Sequence, residues 1–464
     1  MTLQKNQIVE LEITGMTAEG NGVGRTEDGI AVFVAKTAVG DRIRCRIAKV
    51  EKRFAYGIAE DVLSPSADRC EDVGCAVYGK CGGCVYRHVT YDAELRYKEQ
   101  RVKDAFARLA GLSPTFHPIL PSPAENGYRN KAQYPVTGDS AAPVIGFFAP
   151  RSHRVIEQRR CALQPTVFGD ILDAVADWMA QSGAQPYDEV NKTGLVRHIY
   201  LRQAAKTDQV MVCLVCTSGK LPNVPLLLDL LKPFDNITSV CVNINRRDTN
   251  VILGDDTFAL WGETHITDEL CGLHFRLSPR SFYQVNRDQA ERLYGAAADA
   301  AQLKTDDVLL DLYCGTGTIG LSMAHRVKTL IGVEIVAPAV EDAKRNAVEN
   351  GISNARFICA DAAQAAKQLE KEGIRPTVVI VDPPRKGCDR ALIETVARMA
   401  PDRVVYVSCD PATLARDCAV FAECGYTVTD ATPVDMFPRT SHCECVALLS
   451  RRCTREQIVD SLQM

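Results

Sequence analysis

Hydrophobic and polar positions alternate in three distinct ways along the chain. Across residues 1–62, short apolar stretches (IVELEI, IAVFVA, RIRCRIAKV, AYGIAEDVL) are punctuated by Gly, Asp and Thr. This rhythm predicts a small all-β barrel of the OB-like kind. SPS at 64–66 reads as the linker after it. Residues 63–280 are mixed. A cysteine-rich loop precedes a helix predicted over about 91–109, with Leu95, Val102, Phe106 and Leu109 on one face and Gly111 as its stop. Strand-like runs come next at HIYLRQ, VMVCLV and VCVNIN, with a helix around 225–231 between the last two. In residues 281–464 the runs DVLLDLY, TLIGVEI, ARFICA, TVVIVD and RVVYVS alternate with helical patterns. Continuous apolar strands separated by helices predict a parallel sheet covered on both faces. TVTDATPVDMF and CECVALLS add two strands, expected as a hairpin at the sheet edge. The predicted architecture is α/β, a Rossmann-like sheet preceded by a β-barrel and a central α+β domain.

Composition narrows this picture. With 464 residues, 46% of them hydrophobic, the chain can bury two or three cores. The net charge is -4, so any contact with nucleic acid must use local rather than global positive charge. MTLQKNQIVELEITG lacks a basic-then-apolar signal pattern and no long apolar run suits a bilayer, so a soluble cytoplasmic protein, expected as a monomer, is the reading. Nineteen cysteines in such a chain should stay reduced. Most read as small buried apolar residues, Cys213 and Cys216 in QVMVCLVC among them.

Several segments carry chemistry. Gly315, Gly317 and Gly320 fit G-x-G-x-x-G after the strand ending at Asp311, where glycine permits a tight turn and close approach to a ligand. The pattern suits a dinucleotide equally well. Glu334 ends the next strand, placed to accept from two ribose hydroxyls, and Asp361 follows the third, where it could meet an adenine edge or simply cap a helix. Asp382, in IVDPPRKG, could receive hydrogen bonds from a cofactor or a base, and Arg385 and Lys386 offer phosphate contacts. Cys409 follows RVVYVS and precedes Pro411, a good first residue of a helix. A helix N-terminus there is expected to lower the thiol pKa. Glu444, in DMFPRTSHCE, is the candidate general base and His442 its rival. Cys75, Cys81 and Cys84, with Cys161 as a fourth thiolate, suit zinc or an iron–sulfur cluster equally on spacing, and Cys70 is a spare.

Together DLYCGTGTIGL, IVDPPRKG, YVSCDPATLARD and DMFPRTSHCE resemble the RNA 5-methyluridine methyltransferases, and the likeness runs over nearly the whole chain. It is strongest to the members that act on 23S ribosomal RNA. The resemblance implies S-adenosylmethionine as methyl donor, with contacts at Gln284, Tyr313, Glu334 and Asp382, to which the loop reading adds Gly315 and Asp361. It implies Cys409 as nucleophile and Glu444 as general base, and a [4Fe-4S] cluster on Cys75, Cys81, Cys84 and Cys161. Residues 1–62 look like the family's RNA-binding TRAM domain, with Arg42, Arg44, Lys49, Lys52 and Arg53 as a local positive stretch. Arg129, Lys131, Arg197 and Arg202 are further candidates for RNA contact. Asp410 and Tyr283 stand where Asn and Phe are common in the family. A transfer-RNA enzyme, an iron–sulfur dinucleotide oxidoreductase and a non-catalytic RNA-binding protein are the competing readings.

Overall fold

Period-two alternation shapes the first unit. In the computed structural model, which describes residues 3–71 and 73–452, strands Ile8–Met16, Asn21–Arg25, Ala31–Ala35, Arg42–Val50 and Phe54–Ser64 close into a barrel. Leu11, Ile13, Val32, Val34, Ile43, Cys45 and Ile47 fill it. The intervening positions face outward, and there the expected positive stretch is largely cancelled. Arg42 pairs with Glu10 at 2.9 Å, Arg44 with Asp61 at 2.8 Å and Lys49 with Glu51 at 2.5 Å. SPS is no slack linker either. Ser66 Oγ donates to Val39 O at 2.6 Å, and Arg69 pairs with the buried Asp41 at 2.7 Å, so the chain leaves the barrel stitched to it.

The middle sheet has seven strands, in the order Asp256–Gly262, Ile237–Ile244, Val210–Cys216, Val196–Gln203, Lys131–Gly138, Pro143–Phe148 and Val155–Glu157. Helices Thr166–Ser182 and Val224–Leu231 cover one face. On the other face Tyr200, Met211, Cys213, Val215 and Cys241 join a core that also holds Leu293, Leu309, Val405 and Val446. The central and C-terminal parts therefore share apolar packing. Cys213 and Cys216 are fully buried, as expected of small apolar residues.

The helix before this sheet departs from expectation. It runs Tyr91–Ala105 and continues as a π-helical turn, Phe106–Ala110, before Gly111 stops it in the left-handed region (φ 64°). The wider turn rotates its side chains away from the α-helical stripe, so Leu109 emerges exposed. The buried face is Ala93, Glu94, Lys98, Val102 and Phe106, two charges among them. A search for apolar periodicity passes over such a face.

In the C-terminal sheet the strands lie in the order Ala355–Cys359, Thr329–Glu334, Val308–Leu312, Val378–Val381, Arg403–Ser408, Glu444–Arg451, Tyr426–Val434 and Thr115–Phe116. The first five are parallel. Glu444–Arg451 runs antiparallel to Arg403–Ser408 and pairs with Tyr426–Val434, which is the expected hairpin. Two residues from far upstream extend the edge beyond it.

Candidate active site

Parallel strands deliver their carboxyl ends to one edge, and the expected site residues collect there. After Val308–Leu312 the chain turns through three left-handed residues, Tyr313 (φ 67°), Gly315 (φ 55°) and Gly317 (φ 82°), into helix Thr318–Met323. A side chain on Gly315 would meet nothing within 4 Å, so the loop's outer surface is open for a ligand. Glu334, at the end of the neighbouring strand, accepts from Gly315 N at 3.1 Å and from Val336 N at 2.8 Å. Both its oxygens are thus oriented by backbone, with acceptor capacity left over. Asp361 caps helix Ala362–Lys371, one oxygen accepting from Ala363 N at 3.0 Å and Gln364 N at 3.2 Å. Its capping role is therefore realised, and its second oxygen makes no side-chain bond of this kind.

Sequence reading passed over Asp311. It is buried, its Oδ2 accepts from Gly320 N at 3.0 Å, and its Oδ1 has no hydrogen-bond partner. Burial pushes its pKa up to about 8, with Asp382 and Glu334 adding to the effect and the Gly320 N–H opposing it. The one signal in the sequence was an acid inside an otherwise apolar strand, LLDLY. Asp382 follows Val378–Val381, and burial raises it to about 7.

The antiparallel register explains how Cys409 meets Glu444. Arg403 pairs with Ser450 and Ser408 with Cys445, the last pair of the ladder, so Cys409 and Glu444 are the next residues beyond it on adjacent chains, close enough for Glu444 to act on the thiol. Glu444 is 5% exposed, and its pKa is pushed up to about 8 by burial and by Asp382, against Arg385. The thiol does not behave as the helix dipole alone predicts. Burial, Glu444 and Asp382 push Cys409 up to about 11, outweighing Arg385. The N-terminus of helix Pro411–Glu423 is already occupied by the Asp410 carboxylate, which accepts from Ala412 N at 2.8 Å and Thr413 N at 3.1 Å. Asp410 thus caps the helix.

A cavity of about 480 Å³ opens at Cys409, walled by Arg385, His442, Arg101 and Leu109, and by Ala18 and Glu19 from the barrel. Arg101 fastens this wall, donating to Ala18 O at 3.3 Å and to Ser441 O at 2.7 Å. Burial and four cations, Arg385, Arg101, Arg129 and Lys98, lower the His442 pKa, which keeps the ring neutral. The loop 435–443 is anchored from beneath. Lys98 donates to Glu94 at 2.7 Å, to Asp435 at 2.6 Å and to Phe437 O at 3.1 Å. Tyr91 donates to Asp435 at 2.7 Å, and Asn286 to Met436 O at 3.0 Å.

Gln284 sits three residues before helix Arg287–Ala301, its backbone carbonyl accepting from Asn130 Nδ2 at 3.0 Å. Tyr283 is buried, and its hydroxyl donates to Asp268 at 3.1 Å, so the oxygen that distinguishes it from Phe is satisfied inside the core. Two of the expected RNA contacts are committed elsewhere. Arg197 donates to Asn245 O and Arg247 O, and the fully buried Arg202 to Ser278 O and Ser281 O.

The four cysteines assigned to a cluster share one neighbourhood. Burial pushes the Cys161 thiol up to about 11, and Cys84, Cys81 and Cys75 add to it. Cys84 is raised likewise by burial and by Cys81 and Cys75, against Arg87. Cys70 is absent from both groups, and its N–H is paired with His88 O. Among the described residues no set of three or more His, Cys, Asp or Glu side chains is arranged to hold a single metal ion. The donor set, four thiols around a Gly82–Gly83 turn, fits an iron–sulfur cluster in chemistry. No helix among these residues is long and apolar enough to cross a membrane.

Known proteins share this arrangement. Residues 244–452 match the tRNA (Uracil-5-)-methyltransferase family and residues 3–59 the TRAM domain. An uncharacterized RNA methyltransferase of Clostridium tetani is 41% identical over 97% of this chain and 97% of its own length. Another, from Halalkalibacterium halodurans, is 41% identical over 96% and 98%. The crystal structure of Pyrococcus abyssi tRNA (uracil-54, C5)-methyltransferase in complex with S-adenosyl-L-homocysteine superposes with a TM-score of 0.77 at 26% identity, covering 95% of this chain and 100% of that one. The chain belongs to the RNA uracil-5-methyltransferase family, an S-adenosylmethionine-dependent methyltransferase fold preceded by a TRAM barrel.

Proposed function

We propose that this enzyme methylates carbon 5 of a uridine in 23S ribosomal RNA, with Cys409 as nucleophile and Glu444 as general base. The observation that carries the reading is the ladder ending at Ser408 and Cys445, which brings the thiol that follows one strand near the buried carboxylate that begins the other. Carbon 5 of uracil is a weak nucleophile. Once deprotonated, the Cys409 sulfur adds to carbon 6 and leaves an enolate that is nucleophilic at carbon 5. Carbon 5 then bonds to the methyl carbon that S-adenosylmethionine would supply, while the methyl–sulfonium bond breaks and S-adenosylhomocysteine leaves as the neutral thioether. Glu444 then takes the carbon 5 proton, the carbon 6–sulfur bond breaks, and the thiolate is released.

The resting site is nearly neutral, because the Cys409 thiol and the Glu444 carboxyl both hold their protons well above the ordinary range. A cationic donor beside Asp382 and Asp311 shifts both groups toward ionisation. The donor is held by Gly315, Tyr313, Gln284, Glu334 and Asp382, with Asp361 near the adenine. A water-poor cleft strengthens each of these contacts.

Ribosomal RNA is preferred because a barrel and a four-cysteine motif accompany the ribosomal enzymes in the family this sequence resembles. Cys75, Cys81, Cys84 and Cys161 hold a [4Fe-4S] cluster in this reading. Cys75, Cys81 and Cys84 all act on the Cys161 thiol, which supports the four as one donor set. A transfer-RNA substrate is the second reading, favoured by the Pyrococcus neighbour. The deciding experiment supplies purified protein and labelled donor with 23S transcripts and with transfer RNA, then maps 5-methyluridine. Label confined to transfer RNA would reject the ribosomal assignment. A colourless anaerobic sample with stoichiometric zinc would reject the cluster.

A further inference from the structure

One face of the strand Lys131–Gly138 carries polar side chains whose needs the fold leaves unmet. Lys131 and Gln133 alternate with Ala132 and Tyr134, which enter the apolar core on the opposite face, and Arg129 lies two residues before the strand. Across the ladder, Lys131 pairs with Arg202 and Gln133 with Tyr200. Three donors here are buried without a hydrogen-bond partner: Arg129 Nε, Arg202 Nε and the Tyr200 hydroxyl. Orphaned buried donors are rare in a finished fold and call for an acceptor.

The charge is as one-sided as the hydrogen bonding. Among the described residues the groups that act on the Lys131 ammonium are Arg202 and Arg129, both cations, with no carboxylate to balance them. Half-buried charge is ordinarily paired. With burial as the larger cause, the Lys131 pKa falls to about 8. Arg202 is locked by Ser278 O and Ser281 O, which leaves Lys131 and Arg129 as the cations with capacity for a ligand.

The position matters. The Arg129 guanidinium lies 5.6 Å from the centre of the Phe437 ring, and Phe437 packs edge-on against His442 at 6.0 Å. His442 lines the cavity at Cys409. Arg129 therefore stands near the reaction cavity, and Lys131 follows it by two residues in the chain.

We propose that Lys131, flanked by Arg129 and Arg202, binds a backbone phosphate of the RNA beside the nucleotide that enters the Cys409 cavity. This rests on the reading of the site as an RNA methyltransferase centre. A phosphate supplies the missing negative charge and an acceptor for the orphaned Arg129 Nε.

Filter binding of a transcribed 23S RNA domain to the full chain, across a salt series, tests it without any turnover. Lys131→Met is expected to weaken RNA binding about 10-fold at low salt and to reduce the log–log salt slope by about 0.7–0.9. Lys131→Arg is expected to restore most of both. Donor affinity, measured by calorimetry, should not change. The melting temperature of Lys131→Met should rise, because a crowded cation is gone; a side chain serving structure alone would lower it. RNA affinity and slope equal to the parent's overturn the proposal. So does lost donor affinity with RNA binding intact, which would assign the ammonium to the donor's carboxylate. A parent that binds RNA through Lys131 but transfers no methyl group would fault the proposed function and leave this site standing.

Discussion

Two groups of buried acids lie close together in this protein and are resolved in opposite ways. Beneath the loop 435–443, Glu94 and Asp435 share the Lys98 ammonium at 2.7 and 2.6 Å, with Arg439 N donating to Glu94 at 2.7 Å. Both acids meet cations inside the fold there, Lys98 and Arg439, although burial and Asp435 still lift Glu94 to about 7. At the sheet edge, Asp311, Asp382 and Glu444 crowd one another, and Arg385 is the cation that opposes Glu444. Those carboxyls are raised to about 8, 7 and 8. A buried charge matched within the chain is scaffold. One left unmatched waits for something from outside, here a cationic donor and a substrate ring.

The sharpest way to break this contrast is at the sulfur. Cys409→Ala is expected to reduce methyl transfer by at least about 10⁴-fold, because no covalent route remains. Donor binding should persist, since the thiol contributes nothing to the loop or to Glu334. Transfer at more than a few per cent of the parent rate would remove Cys409 from the reaction. Glu444→Gln comes next, with a loss of about 10²–10⁴-fold in turnover. Elimination should stall, so a protein–RNA adduct should appear on denaturing gels. Turnover at the parent rate would move the proton transfer to another group, with His442 nearest to hand.

The scaffold cluster answers a different measurement. Lys98→Met leaves two carboxylates buried without their cation and is expected to lower stability by roughly 3–5 kcal/mol in denaturant titration. Replacing Glu94 and Asp435 by Gln and Asn as well should recover much of that. Asp311→Asn should act in the other direction. An unfolded aspartate releases its proton near pH 4, whereas the folded carboxyl keeps its proton to about 8. Across that window folding takes up a proton, so stability falls as pH rises and levels off above it. The Asn variant loses this slope. It should melt a few degrees above the parent at pH 8, on the order of 2–4 °C, and show no advantage at pH 4. An unchanged melting profile would mean that Asp311 is ionised in the fold.

Much of this edge was legible because motif and topology coincide. Strand-terminal residues such as Glu334, Asp382 and Cys409 follow apolar runs that any reading finds. The ladder that unites Cys409 with Glu444 is a long-range pairing, which no local pattern encodes. Asp311 hid inside an apolar strand, and Glu94 and Lys98 inside a helix whose apolar stripe pointed to Leu95 and Leu109 instead. Charges that neutralise each other can occupy a core, so periodicity assigns them to the surface. The thiol pKa failed for a related reason. The helix N-terminus next to Cys409 is local and readable, while the burial that outweighs it, and the two carboxylates that add to it, come from packing with other parts of the chain.

The smallest expected effect tests the same principle on the barrel. Arg42 and Arg44 project from the strand Arg42–Val50, each within 2.9 Å of an acid on a neighbouring strand. Such exposed pairs contribute about 0–1 kcal/mol to stability. Their charge is cancelled locally, so they add little to the field that an approaching RNA meets. Arg44→Ala is therefore expected to change stability by less than about 1 kcal/mol, and RNA affinity by less than about 2-fold, because removing one member of a pair frees its acid as it deletes the base. Lys52 and Arg53, beyond the end of that strand, form no ion pair among the described residues. If the barrel meets RNA through charge, substituting those two should weaken binding more than substituting Arg42 and Arg44 together. The reverse order would show that RNA displaces the acids from the strand face, and that a charge paired in the free protein is no guide to its role in the complex.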